Sequence, residues 1–74
     1  MTDSDAIGEV GIVSVPTRGA GGPGEVILTV RGVRESYIAD SDLPISQGQA
    51  VLVVEVAPYR HVTVVPWMKL QVPE

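Results

Sequence analysis

The sequence predicts an all-β domain, a small five-stranded antiparallel barrel, on three observations. No apolar i, i+3, i+4, i+7 pattern runs free of glycine or proline, so no amphipathic helix is expected. Valine dominates the apolar residues, and β-branched side chains suit a pleated, half-buried surface. Short apolar stretches alternate with glycine, proline and Asp/Ser turn chemistry along the 74 residues, the spacing of strands joined by turns.

The first strand is expected over about Ile7 to Val15, the second over Glu25 to Arg31 and the third over Arg34 to Ala39. The fourth covers Ala50 to Val56 and the fifth Arg60 to Val65. In the second, Val26, Leu28 and Val30 share one face, while Glu25, Thr29 and Arg31 share the other with Ile27. Gly32-Val33 makes a tight turn to the third strand, because glycine tolerates positive φ. Ala57-Pro58-Tyr59 joins the fourth to the fifth, where proline stops ladder pairing. These short links predict a meander. The stretch DSDLPISQGQ, from Asp40 to Gln49, is too short for a crossover helix but long enough to turn a corner.

In the fourth strand both Val51/Val53 and Leu52/Val54/Val56 are apolar, with Glu55 the exception. A strand buried on both faces lies deep in a barrel or beneath another surface. An open sheet of this size would carry sticky edges that closure removes. Five short antiparallel strands that must close point to a barrel of the oligonucleotide/oligosaccharide-binding (OB) fold.

Size and composition narrow the function classes. A domain this short buries only about 60% of its unfolded surface, so its stability margin is thin. Cysteine is absent, which removes disulfides and thiolate metal sites from consideration. The formal net charge is −4, and the cations Arg18, Arg31, Arg34, Arg60 and Lys69 are scattered, whereas nucleic-acid binders gather theirs into a basic patch. No apolar run reaches the roughly 20 residues that span a bilayer. The start, MTDSDAIGE, lacks the basic region and apolar core of a signal peptide. Residues 1–6 read as a disordered acidic N-terminus, 7–67 as the barrel domain and 68–74 as a tail.

Gly19, Gly21 and Gly24 fit the G-x-G-x-x-G spacing of a dinucleotide-binding turn. That fingerprint needs a helix after the turn to hold the pyrophosphate. Here Gly24 leads into EVILTV, and Pro23 removes an amide the phosphate would need. The loop from Thr17 to Gly24 therefore reads as a long, mobile hairpin tip, with Arg18 as its charge.

The remaining chemistry is thin. His61 is the one histidine, with Thr63 on its face and no local carboxylate positioned to orient it. Asp40-Ser41-Asp42 has the residue types of a cation site but stops short of the oxygens calcium needs, and turn chemistry accounts for it. Trp67-Met68-Lys69-Leu70 is similar to the Met-Lys step where biotin or lipoyl groups attach, without the second half-domain that presents such a lysine; Trp67 is expected to fold back on the barrel. Tyr37, Tyr59 and Trp67 are the rings that could stack bases, and Arg34 near Tyr37 and Arg60 beside Tyr59 make a sparse version of such a platform.

The spacing of Gly8 and Gly11 (GEVGIV), Pro23-Gly24 with Val26 (PGEV), Gly32, Tyr37 with Ala39 (YIA), Pro44-Ile45 and Gly48 with Val51, Val53 and Val54 (PISQGQAVLVV), and Val62, Val64 and Pro66 (HVTVVP) resembles the soluble C-terminal domain of NfeD-like proteins. The resemblance covers about Gly8 to Pro66. It implies an OB barrel without catalytic residues, working beside flotillin- or stomatin-type membrane scaffold proteins in bacteria. The sequence departs from the family at Pro58-Tyr59-Arg60, where glycine is common, and it lacks the transmembrane helices that usually precede the domain. The expectation is a non-enzymatic protein-interaction module that docks with such a partner or with itself, using Arg18, Arg34, Tyr59 and Arg60 and needing no cofactor or metal. Its expected place is the cytoplasm, at the membrane through a partner or through a transmembrane segment this sequence lacks. The alternative is a single-stranded nucleic-acid-binding OB domain.

Overall fold

In a computed structural model, residues 4–67 are described. The strands are β1 (Val10–Val15), β2 (Thr17–Arg18), β3 (Gly24–Val30), β4 (Val33–Asp40), β5 (Pro44–Ile45), β6 (Ala50–Ala57) and β7 (His61–Pro66). Five of them close into a barrel in the order β1-β3-β4-β7-β6, with β6 returning to β1, while β2 and β5 form a separate two-stranded sheet. The predicted fold class holds, and all five predicted strands are present.

The order differs from a simple meander at one seam. β4 and β7 run parallel, with Ile38 opposite His61, Ala39 opposite Val62 and Asp40 opposite Thr63, whereas the other four barrel pairings are antiparallel. Parallel pairing needs a crossover rather than a hairpin. The segment between β4 and β6 supplies it without a helix, by carrying the chain over one end of the barrel.

Period-two alternation fills the interior. Val13, Val26, Leu28, Val30, Tyr37, Ala39, Val51, Val53, Val62 and Val64 point inward and are buried. β6 corrects the expectation of burial on both faces: Val51 and Val53 face the core, but Val54 is 40% exposed and Leu52 is only partly covered. A pleated strand sends successive side chains to opposite faces, no second layer among the described residues covers the outer one, and a bulge between Val53 and Glu55 returns Val56 inward, opposite Val62 and against the core.

The glycine loop is a hairpin connection, as expected, but not a mobile one. Thr17-Arg18 pairs with Pro44-Ile45, a short turn of 3-10 helix follows at Gly19–Gly21, and Thr17 and Ile45 are both about 2% exposed. Thr17 Oγ1 accepts the Ile45 amide at 2.9 Å and lies 2.7 Å from Ser41 Oγ. Local alternation carries no signal for strands this short, whose partners are Thr17 with Ile45 and Arg18 with Pro44, far apart along the chain. Gly24 is required for contact rather than conformation. A Cβ there would collide with the backbone carbonyls of Val15 and Pro16, where β1 leaves the barrel across the start of β3.

At the N-terminus, Ser4–Ala6 forms a turn of 3-10 helix inside the stretch that composition reads as disordered. Ala6 is fully buried in the core, and the amide of Glu9 donates to its carbonyl at 3.0 Å. The first strand begins at Val10 rather than Ile7, because Gly8 at φ +89° bends the chain. The predicted tail 68–74 lies outside the described residues.

Gly24→Ala is expected to cost about 2 kcal/mol or more, since backbone atoms must move to admit the methyl group; urea unfolding measures it. Thr17→Val keeps the shape but strips the Ile45 amide of its acceptor, an expected loss of about 1–3 kcal/mol. The facing of β6 is checked by a pair of variants. Val53→Asp buries an unpaired charge and should abolish the cooperative thermal transition, while Val54→Asp, one residue on, should stay within about 1 kcal/mol of the parent.

Candidate interaction surfaces

The outer face of the barrel carries a continuous apolar belt. Cross-strand register sets two rows side by side. Ile27 of β3 stands opposite Ile12 of β1, which stands opposite Ala50 of β6. Val10 of β1 stands opposite Leu52 of β6, which stands opposite Val65 of β7. Val10, Ile12 and Val65 are each at least 40% exposed. Trp67 extends the first row, its amide donating to the Ala50 carbonyl at 2.9 Å. Its side chain is 43% exposed, so it borders the belt instead of folding down as expected. Next to it, Ser41, Leu43, Val54 and Val65 line a shallow depression of about 450 Å³. Apolar cross-strand pairs stabilise a sheet, and a contiguous exposed set of this kind is also the mark of an interaction surface, unlike single exposed residues such as Ile7 and Val33.

A second surface lies at the end of the barrel where the β3–β4 and β6–β7 hairpins turn. Val30, Arg31, Val33, Glu35, Tyr37 and Arg60 line a cleft of about 330 Å³. Arg60 Nη2 meets Glu35 Oε1 at 2.8 Å, and Arg31 Nε meets Asp5 Oδ2 at 3.1 Å. Glu35 is on the inward-facing side of β4 with Tyr37, at the barrel mouth, so the Arg60 pair holds the β6–β7 turn against β4.

The four residues expected to share one interaction surface occupy three places. Arg18 is on the small β2–β5 sheet, with its guanidinium beside Gly22. Arg34 lies on the outer face of β4 opposite Thr29, bordering the belt near Ile12 and Ile27. Tyr59 and Arg60 sit together on the β6–β7 turn. Tyr37 points into the core and is 4% exposed, so the ring-and-cation platform of the nucleic-acid alternative is not assembled by these residues. The sequence reading gives no sign of the belt: it places Leu52 as buried and Ile27 on a polar face, and cross-strand neighbours such as Ile12 and Ala50 are not visible in a local window.

His61 has a carboxylate neighbour after all. Asp40 Oδ2 lies 3.4 Å from its Nε2 across the parallel seam, a contact that no local spacing announces. Both side chains are well exposed, and the pair stitches the surface of the seam. Ser41 Oγ donates to the Leu43 carbonyl and reaches Thr17, which is turn chemistry. Among the described residues, no group of three or more His, Cys, Asp or Glu is placed to hold a metal ion, and no helix is long and apolar enough to cross a membrane. Lys69 falls outside the described residues.

No curated protein sequence matches this chain. Residues 10–65, nearly the whole barrel, match the NfeD C-terminal domain family. Among solved structures, the chain is similar to the soluble domain of the NfeD protein YuaF from Bacillus subtilis, determined in solution. The two share 30% identity over 92% of this chain and 81% of that one, with a TM-score of 0.75.

Proposed function

Because the chain belongs to the NfeD C-terminal domain family, we propose that it is a non-enzymatic protein-interaction module, docking through its apolar belt onto a flotillin- or stomatin-type membrane scaffold protein. The observation that carries this reading is the belt itself. Val10, Ile12 and Val65, with the partly covered Leu52 between them, form a surface that the described residues leave open. Burying it would return roughly 25 cal/mol for each Å² of apolar area removed from water.

The barrel also limits how docking occurs. Each of its five strands has a neighbour on both sides, so the barrel offers a partner little open edge beyond the short stretches of β4 and β7 outside the three-pair seam. The larger surface it offers is the side chains of the outer face. A flat belt of aliphatic residues with Trp67 at its border suits that mode, since a few central apolar anchors carry most of the energy of such interfaces. The module acts in this reading from the cytoplasm, reaching the membrane through its partner or through a transmembrane segment of a longer protein.

The test uses tagged chain incubated with detergent-solubilised bacterial membranes that contain a flotillin- or stomatin-type protein, detected by antibody. The parent chain should retain that protein. Ile12→Lys and Val65→Lys, both on the outer face, should keep the thermal transition while lowering recovery about tenfold, the effect of losing a central anchor of roughly 1.4 kcal/mol or more. Equal recovery by the parent and both variants rejects the belt as the docking face.

A further inference from the structure

We propose that the shallow depression beside the apolar belt is a recognition groove for a protein segment that pairs a lysine or arginine with an aliphatic side chain. Strand register builds it. In β6 the pairing shifts between Val53, opposite Val64, and Glu55, opposite Thr63. Val54 is the extra residue, and Val54 and Glu55 are both exposed on the outer face. Bulges re-aim side chains in this way and gather beside functional sites. On the other side of β7 the chain leaves the seam after Asp40 and carries Leu43 outward, 66% exposed. Leu43, Val54 and Val65 thus wall a depression of about 450 Å³. It is continuous with the belt through Val65 and its partner Leu52.

Charge identifies the occupant. Asp40 of β4, Thr63 of β7 and Glu55 of β6 stand opposite one another in a single cross-strand row, which sets two carboxylates about 10 Å apart across a threonine. Asp42 adds a third, in the wall of the depression. Asp40 lies 3.4 Å from His61, but among the described residues neither Asp42 nor Glu55 meets a cation. The described arginines are elsewhere: Arg31 with Asp5, Arg60 with Glu35, Arg18 beside Gly22 and Arg34 opposite Thr29. Like charges within about a Debye length repel, and a cation seated over Thr63 relieves that repulsion. Val65 lies two residues along β7 from Thr63, about 7 Å away, close to the separation of side chains one helical turn apart. A basic head and an aliphatic side chain at that spacing fit both halves of the groove. The same carboxylates oppose nucleic-acid phosphates and an anionic membrane surface.

The groove rests on the reading of the chain as an interaction module and adds the chemistry of what it takes. The experiment is an NMR titration of the 74-residue chain with a helix-forming peptide that sets lysine and leucine one turn apart along one face. A peptide of the same composition, with its leucines spread around the helix, controls for general attraction between cations and an acidic chain. Saturable shifts at Leu43, Glu55, Thr63 and Val65 are expected with the first peptide, weakened severalfold by salt, and affinity for the control should be about tenfold lower. The double variant Asp42→Asn/Glu55→Gln changes only exposed groups, so it should keep the thermal transition while affinity falls about fivefold or more. Leu43→Ser should lower it about tenfold. The proposal is overturned by the absence of saturable shifts, by equal affinity for the two peptides, or by undiminished binding in the double variant. It is also overturned if the same residues shift on dilution without peptide, which makes a second copy the occupant, or on removal of residues 68–74, which makes it the chain's own tail. Scaffold-protein capture without peptide binding overturns the groove alone. Peptide binding without such capture supports the groove and rejects the scaffold partner.

Discussion

The structure depends on the parallel seam between β4 and β7. Only three residue pairs form it, and without it the sheet would have two open edges. Closure gives backbone partners to the paired stretches, Ile38–Asp40 and His61–Thr63, and turns the alternating faces into an inside and an outside. Side chains brace the seam near both ends, Arg60 against Glu35 and His61 against Asp40. Exposed pairs contribute little each, so the seam rests mainly on its ladder and on the burial of Ala39, Val62 and Val64 beneath it.

A barrel of this size is short of apolar volume, and the fold compensates by closing its ends. Ala6 enters from the N-terminal turn, and Ile45 packs into the core from β5. Holding Ile45 there requires the backbone of the β5 segment to be satisfied in a buried place, which is the role of the Thr17 hydroxyl. The close crossing of β1 over Gly24 brings Thr17 to that position. The glycine at 24 and the threonine at 17 thus act on one feature. Without the first, β1 could not turn onto the end of the barrel; without the second, the segment that covers the core would carry an orphan amide.

What was legible in the sequence was whatever a short window could hold. The Val26, Leu28, Val30 alternation placed β3 to within a residue, and Gly32 marked its turn. The GEVILTV run was enough to separate a hairpin from a phosphate loop. The parallel seam, the β2–β5 sheet and the His61–Asp40 contact join residues far apart in the chain, and no local period reports them. The expected interaction residues fared unevenly for the same reason. Tyr59 and Arg60 are neighbours in sequence and in space, whereas Arg18 and Arg34 were joined to them only by being cationic. β6 is a different kind of miss. Leu52 and Val54 are apolar, and a sequence cannot say whether such residues face the chain's own core or a surface that another molecule covers.

That ambiguity bears on function. A protein with a thin stability margin gains for its own fold from aliphatic residues on that face only the modest return of cross-strand pairs, about 0.2–1 kcal/mol each. Ile12, Val10 and Val65 could be threonine or lysine at no cost to the interior, because Val13, Val51 and Val64 already fill it. The belt is also a liability, since exposed apolar patches promote aggregation. Edge closure removes one route to that outcome and leaves the other, face-to-face packing, open. A fold that pairs most of its edges while keeping an apolar outer face is therefore better suited to association through side chains than through added strands.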